Sequence, residues 1–373
     1  GPSSFGGRIV DLACHPDRPR SLWVASASGG LFVTNDHGTT WQCLFESEGT
    51  ISIGDVAVDP TNPDVLWIGT GEANNQRSSY WGDGVYKSTD GGKTWKNVGL
   101  PHSHHIGRIV IDPRNSDRVF VAALGALYTS NEERGLYRTT DGGETWERVL
   151  GISPDVGVVD VALDPNEPDH MVAASYERRR RPWDFDGNGP GSGIWRSEDA
   201  GTTWERCEGG LPSGDIGRIG LDVFPGEENV IIATVANQNR EPVRVGPVIG
   251  LEVEWTDGKL VVTRVKKDSG AAKLGLKKGD VLKKIGERNL DDAFDWMHVL
   301  GQLRNDAEEK AGDTDEEAKL TLTYLRDDEE KTVEAGLEQI LVVDDEDPET
   351  REIGGQIYRS TDHGKTWEMV NET

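Results

Sequence analysis

The sequence predicts an all-β fold built from repeated four-stranded sheets, with one small α+β domain inserted near its end. Two observations carry this prediction. The pattern (Ser/Thr)-x-Asp-x-Gly-x-Thr-Trp occurs five times, at 34–41, 88–95, 139–146, 197–204 and 360–367. The first four copies follow one another at intervals of about 50 residues, enough for four short strands, and the last follows after roughly 160, one such unit plus about a hundred extra residues.

Each copy of the motif predicts a β-hairpin. Its Gly, which is Gly92 in the second copy, suits a turn position that needs positive φ. The carboxylate of its Asp, which is Asp90 in that copy, can accept backbone N–H bonds and close the turn. The Trp opens the next strand, where its ring can pack between neighbouring repeats.

The rest of each repeat supplies two more strands. The first strand is apolar and usually ends at an Asp-Pro or similar turn, at 7–16, 54–60, 107–113, 160–165 and 217–225. A short apolar run follows as the second strand, for example at 65–70. The third and fourth strands flank the motif. One four-stranded sheet per repeat is the pattern of a β-propeller blade.

The five motifs resemble the Asp-box, or BNR, hairpin of sialidase-like, sortilin-like and xyloglucanase-like β-propellers. In those proteins the hairpin lies at the outer edge of a blade, so the resemblance implies a structural role for the five aspartates. Five repeats leave open a piece of a larger ring, a five-bladed ring or a ring completed elsewhere, and we expect a fragment or incomplete ring. The resemblance also implies an extracellular or periplasmic protein.

The long last interval resembles a PDZ domain of the bacterial protease type. The residues from 269 to 286 carry the resemblance, because Ala-Ala-x-x-Gly-Leu-x-x-Gly-Asp is typical of a short helix that Gly ends and Gly-Asp turns into a strand. An amphipathic helix is predicted at 291–300. The predicted boundaries are 5–240 and 353–373 for the propeller repeats and 246–340 for the inserted domain.

PDZ domains bind the C-terminal strand of a partner by β-augmentation, which makes a protein or peptide the predicted ligand. By resemblance, the groove consists of a carboxylate-binding loop, an edge strand and a facing helix, with the residues Val248, Ile249, Gly250, Leu251, Val253, Phe294, Met297 and His298. The alternative is a structural spacer with a closed groove.

Charge and cysteine content exclude several functional classes. The chain has 66 acidic and 40 basic residues, a net charge of −26, and an acidic surface repels nucleic acid and anionic lipid. No apolar run approaches the ~18 residues of a membrane-spanning helix. The three cysteines are too few and too irregularly placed for a disulfide framework or a zinc site.

Two long loops between second and third strands are candidate binding segments, because function concentrates on loops carried by a rigid scaffold. They suggest sugar or peptide contacts through Arg77, Tyr80, Arg178, Arg180 and Trp183. The alternative is that Arg–carboxylate pairs merely hold solvated loops together. Arg108, on a first strand, is expected at the mouth of the central channel, where it either binds a ligand or neutralises nearby aspartates.

Glycoside hydrolysis requires two carboxylates that face each other across a cleft. Glu72, Asp55 and Asp160 are the candidates for such a pair. A calcium site is a further candidate at Asp184, Asp186 and Asn188, which match the first half of a calcium-binding loop without its twelfth-position Glu.

The sequence therefore favours a non-catalytic recognition protein, with a propeller scaffold and a PDZ module that binds protein or peptide ligands. The first alternative is a glycoside hydrolase of sialidase-like or xyloglucanase-like type, with its site on the loops and a carbohydrate as ligand. A further alternative is the substrate-feeding part of a tricorn-like protease. No cofactor other than the candidate calcium ion is predicted.

Overall fold

The computed structural model describes residues 7–226, 229–242, 250–256, 258–267, 269–286, 288–290, 319–336 and 350–371. Its contacts divide the chain into two compact units, Gly1–Asn239 with Glu352–Thr373, and Arg240–Arg351. No helix in the described ranges is long and apolar enough to cross a membrane.

The described residues of the first unit form five antiparallel sheets of four strands each. The first sheet consists of β1 (Ile9–Ala13), β2 (Leu22–Ser26), β3 (Gly30–Thr34) and β4 (Gln42–Cys43). The second consists of β5 (Ile53–Asp59), β6 (Asn62–Thr70), β7 (Val85–Ser88) and β8 (Lys96–Gly99), and the third of β9 (Ile106–Asp112), β10 (Asn115–Ala123), β11 (Gly135–Thr139) and β12 (Glu147–Leu150). The predicted all-β fold of four-stranded repeats is confirmed.

The fourth and fifth sheets carry the long insertions. The fourth consists of β13 (Val156–Leu163), β14 (Met171–Glu177), β17 (Gly193–Ser197) and β18 (Glu205–Arg206), with the small hairpin β15 (Arg179–Arg180) and β16 (Phe185–Asp186) between β14 and β17. The fifth pairs β19 (Ile216–Val223) and β20 (Ile231–Pro242) with β27 (Thr350–Ser360) and β28 (Glu368–Met369). The second unit is thus inserted between the second and third strands of the fifth sheet, as predicted.

The apolar core lies between consecutive sheets. Trp23 and Ile53 belong to the cluster between the first and second sheets, and Trp67 and Ile106 to the next. Two further clusters join the third to the fourth and the fourth to the fifth sheets. The first strands of neighbouring sheets pack side by side, β1 on β5, β5 on β9, β9 on β13 and β13 on β19. Each sheet therefore depends on its neighbour for burial, as in a propeller.

Close approach of the inner strands requires glycine. A Cβ atom added to Gly107 on β9 would lie 2.1 Å from the carbonyl oxygen of Val159 on β13. Since real Cβ atoms never come so near a carbonyl, any other residue would push the two sheets apart.

The five Asp-box hairpins share one set of local hydrogen bonds. In the second copy, Asp90 Oδ1 accepts from the backbone nitrogen of Thr94 at 2.9 Å, and Asp90 Oδ2 accepts from Thr94 Oγ1 at 2.7 Å. Ser88 Oγ donates to Asp90 Oδ1 at 2.8 Å and accepts from the nitrogen of Gly92 at 2.9 Å. Gly92 has a φ of 86°. The carboxylate closes the turn, which is the structural role that the sequence predicts.

In the described residues, the second unit consists of a small sheet and one short helix. Its strands are β21 (Leu251–Thr256), β22 (Lys259–Val265), β23 (Val281–Ile285), β24 (Arg288–Asn289), β25 (Lys319–Arg326) and β26 (Glu329–Gly336), and its helix is α1 (Gly270–Lys273). Ser269 caps α1 by accepting from the nitrogen of Ala272. The predicted helix at 291–300 lies outside the described residues.

Candidate functional site

Three connections between second and third strands meet on one face of the propeller unit. Asn75 Nδ2 of the second sheet donates to the hydroxyl of Tyr176 of the fourth at 2.8 Å, and Arg180 Nε donates to the carbonyl of Asn75 at 2.6 Å. We call this surface the loop face and define it by the residues 71–84, 124–134 and 178–192. The structure thus brings together the two long loops that the sequence singles out, and adds the loop of the third sheet.

Two buried arginines support the loop face from beneath. Arg178 donates to Asn75 Oδ1 at 2.5 Å and to the carbonyl of Gly125 at 3.4 Å, while Arg134 donates to the carbonyls of Arg178 at 3.0 Å and Ala126 at 2.6 Å. Burial lowers the pKa of Arg178 to about 9, with repulsion from Arg134 adding to the effect, and lowers the pKa of Arg134 to about 10. Because Arg178 is 1% exposed, it positions the loops and does not line their surface.

Aromatic side chains project from the loop face into solvent. Tyr80 is 60% exposed, Trp81 69%, Tyr128 46% and Trp183 78%. A contiguous exposed apolar patch commonly marks an interaction site, and Tyr80, Trp81 and Tyr128 line a common cavity. Tyr128 is absent from the sequence prediction, although it follows the second strand of its sheet in the same slot as the predicted loops, and that slot is the signal that could have found it.

Tyr80 and Trp81 form a ridge between two cavities. One cavity, of about 550 Å³, is also lined by Arg77, His104 and Tyr128. The other, of about 530 Å³, lies toward the first sheet and is lined by the same two aromatic residues together with 48–52. The predicted residues Arg77 and Tyr80 therefore belong to one pocket wall.

Glu72 lies beneath this ridge and is fully buried. Arg8 binds its carboxylate through two hydrogen bonds of 2.8 Å each, and Asn74 Nδ2 donates to it at 2.8 Å. Burial alone would raise the pKa of Glu72, but the hydrogen bonds from Arg8 and Asn74 outweigh it and hold this pKa below its usual range. The carboxylate is therefore ionised at neutral pH and already paired.

Arg108 is the hub of the inner strands. Its guanidinium lies 3.0 Å from Asp160, 3.5 Å from Asp55 and 3.8 Å from Asp11, which come from three other sheets. Asp55 also accepts from the backbone nitrogen of Ile109 at 2.7 Å. The structure thus places the predicted residues Arg108, Asp55 and Asp160 together as ion pairs. This arrangement agrees with the alternative in which Arg108 neutralises nearby aspartates.

The three candidate calcium ligands, Asp184, Asp186 and Asn188, form ion pairs or hydrogen bonds with other side chains. Asp184 lies 3.5 Å from Arg181, and Asp186 lies 3.5 Å from Arg181 and 3.7 Å from Arg179. Asn188 donates to Gln238. In this arrangement the two carboxylates compensate the arginines of the β15–β16 hairpin.

Among the described strands of the second unit, β21 lies at the edge of the sheet. β21 is the first strand in its sheet order and pairs only with β22 among the described strands. A cavity of about 310 Å³ lies beside this edge, lined by Gly250, Leu251, Glu252, Arg264 and Lys266. Gly250 has a φ of 76°, and a Cβ there would lie 2.2 Å from Ser269 Cβ. Of the predicted groove residues, Gly250, Leu251 and Val253 are described. The rest lie outside the described residues, namely Val248, Ile249, Phe294, Met297 and His298.

Three family models match parts of the chain. The Sortilin-Vps10 model (sortilin, neurotensin receptor 3) matches residues 83–214, the PDZ domain model 247–337 and the BNR/Asp-box repeat model 358–369. The chain thus consists of four-stranded Asp-box repeats of the β-propeller type, with an inserted second unit that is similar to a PDZ domain.

Curated relatives of the propeller are xyloglucanases. The oligoxyloglucan-reducing end-specific xyloglucanase of Emericella nidulans is 25% identical over 217 residues, which are 55% of this chain and 24% of that protein. A probable enzyme of the same name from Neosartorya fischeri is 31% identical over 159 residues, 38% of this chain and 17% of that protein. Xyloglucanase Xgh74A of Acetivibrio thermocellus is 23% identical over 235 residues, 52% of this chain and 25% of that protein. The chain spans a quarter or less of the length of these relatives.

Solved structures of two kinds are similar to the chain. An ancestral GH74 enzyme gives a TM-score of 0.47 at 20% identity and covers 61% of this chain and 29% of its own. YCF48 from Cyanidioschyzon merolae gives a TM-score of 0.40 at 14% identity and covers 99% of this chain and 86% of its own.

Proposed function

We propose that the loop face binds a polysaccharide outside the cytoplasm, with Tyr80 and Trp81 as the platform on which sugar rings stack. The observation that carries the proposal is the exposed aromatic ridge between two cavities. Sugar rings have apolar C–H faces that pack on aromatic rings, and their hydroxyls bind polar groups such as Arg77 at the pocket wall.

Two further features support polysaccharide binding. The loops that carry the ridge are fixed by Arg178 and Arg134, so little conformational entropy is lost when a ligand binds. The curated relatives are named as xyloglucanases, which makes xyloglucan the first ligand to test.

The test is titration of the chain with xyloglucan oligosaccharides by calorimetry, beside cellulose and mannan oligosaccharides. Trp81→Ala should weaken binding at least tenfold, because loss of one stacking aromatic removes a central contact. Trp41→Ala is the matched control, since Trp41 is also exposed, at 47%, but belongs to the first Asp-box. Equal affinity of the two variants, or no binding by the unaltered chain to any of these glycans, would overturn the proposal.

Hydrolysis of the same polysaccharide is a second candidate function. The names of the relatives favour it, and Glu72 and Asp55 are its carboxylate candidates. Both carboxylates are buried and paired with arginines, so binding remains the better-supported function. Release of reducing sugar that Glu72→Gln abolishes would establish hydrolysis, and a glycan panel without turnover would exclude it for this chain.

We also propose that the PDZ-type unit binds the C-terminal strand of a protein by β-augmentation on β21. The position of β21 at the edge of the described sheet and the adjacent cavity at Gly250 support this proposal. A C-terminal peptide array should yield hits with free carboxylates that are lost when the same peptides are amidated. An array without hits from the folded chain, or hits that amidation leaves unchanged, would contradict it.

A further inference from the structure

Two histidines and one glutamate meet at the outer rim between the fourth and fifth sheets. Glu167 lies in the turn between β13 and β14, and His170 immediately precedes β14. His363 belongs to the fifth Asp-box, at the position that Gly91 and Gly142 occupy in two other copies. The cluster therefore joins stretches that are far apart in the chain, and none of its three residues belongs to the loop face.

The distances in this cluster suit a coordination sphere. Glu167 Oε2 lies 3.1 Å from His170 Nδ1 and 3.4 Å from His363 Nε2. All three candidate ligand atoms lie within 4.8 Å of one another. Around a tetrahedral zinc ion with bonds of about 2.0–2.2 Å, neighbouring ligand atoms are separated by about 3.3–3.6 Å. The two distances from Glu167 to the histidines lie close to that spacing.

The cluster also contains an unsatisfied polar atom. His170 Nδ1 is buried and has no hydrogen bond, although Glu167 Oε2 lies 3.1 Å away. A buried polar nitrogen without a hydrogen bond is costly and calls for an explanation. Coordination to an ion would supply the missing partner.

We propose that Glu167, His170 and His363 bind a divalent transition metal ion, with Zn²⁺ as the representative. Two imidazoles and a carboxylate are a ligand set that suits zinc, and a water molecule would complete a four-coordinate site. The two rings stack at 3.7 Å between centroids with an interplanar angle of 23°. Seating the ion requires a rotation of the imidazoles about their Cβ–Cγ bonds, a torsion with broad energy wells.

The bound ion would link the fifth sheet to the fourth, because its ligands come from both. The third and fourth strands of the fifth sheet return to the propeller only after the inserted unit, and His363 lies in this returning stretch. Binding to the folded state alone stabilises that state, so metal should oppose separation of the returning strands.

The test is titration of the tag-free full chain, cleared of metal with a chelator, with Zn²⁺ by calorimetry and with Co²⁺ by absorption spectroscopy. We expect one ion per chain, visible Co²⁺ bands typical of tetrahedral coordination, and a thermal midpoint of the propeller raised by roughly 5 °C at 100 times the dissociation constant.

Substitution separates this site from other histidines. His363→Gly should weaken binding at least tenfold without straining the backbone, since the φ of His363 is 58° and other copies have Gly there. His170→Gln should do the same. His37→Gly is the matched control, because His37 occupies the same motif position in the first copy with the same φ of 58°. Absence of binding by the unaltered chain, or equal affinity of the His363 and His37 variants, would overturn the proposal.

Discussion

Replacement of Arg108 by Met tests whether the inner strands depend on one cation. Methionine keeps most of the aliphatic stem of arginine and removes the charge that three aspartates share. Asp55 is the aspartate at greatest risk, because it is 2% exposed and would become a buried carboxylate without a counter-ion.

The size of the effect follows from burial. Leaving one partner of a buried ion pair uncompensated typically costs about 3–5 kcal/mol. The Arg108 side chain is itself 39% exposed, so water already screens part of its attraction, and we expect the lower end, about 3 kcal/mol. For a unit of this size that loss lowers the thermal midpoint by roughly 6–9 °C.

The loss of stability caused by Arg108→Met should depend on pH. Burial raises the pKa of Asp55 well above its ordinary value, Arg108 opposes this rise, and Asp11 adds to it. Without Arg108 the folded-state pKa rises further above the unfolded value of about 3.9. The folded state then binds the extra proton, so stability is regained as pH falls through the raised pKa and is lost as pH increases.

The assay is thermal unfolding followed by near-ultraviolet circular dichroism at pH 7.5 and pH 5. Arg18→Met is the control, because Arg18 forms a surface pair with Asp64, with side chains 34% and 50% exposed, and such pairs contribute about 0–1 kcal/mol. The reasoning is refuted if Arg108→Met destabilises no more than the control, or if its deficit is the same at both pH values.

Three other predictions concern the scaffold. Gly107→Ala should lower the thermal midpoint by roughly 4 °C or more, because the added Cβ collides with a neighbouring carbonyl. Gly220→Ala is the control and should change the midpoint little, since its Cβ would meet only a threonine hydroxyl. Equal melting curves for the two variants would contradict this prediction. Hydrogen bonds from Thr203 overcome the effect of burial and hold the pKa of Asp199 at about 2, below the unfolded value of about 3.9. The stability that this carboxylate contributes is therefore present above pH 4 and is lost as pH falls through 2. Asp199→Asn should make stability depend less on pH over that range, and an unchanged acid-unfolding curve would count against the role of the Asp-box carboxylate. Arg178→Met should speed proteolysis within the loop face and weaken polysaccharide binding, and a variant with unchanged cleavage and affinity would show that the buried arginine does not fix the loops.

The sequence by itself determined the repeats, the hairpins and the insertion. Ser88, Asp90 and Thr94 lie within seven residues of one another, so the bonds that close the turn depend on local sequence alone. The spacing of the Asp-boxes then located the inserted unit between the second and third strands of the fifth sheet. Periodic local motifs of this kind can be recognised without knowledge of tertiary contacts.

Only the tertiary structure decided what the polar candidates do. Glu72, Asp55 and Arg178 were singled out from their positions on strands and loops, and each is buried among partners from other sheets. The aromatic ridge with Tyr128 and the cluster of His170 with His363 likewise join residues from different repeats. The order of residues in the chain does not fix such neighbours, because the packing of one sheet on the next brings them together.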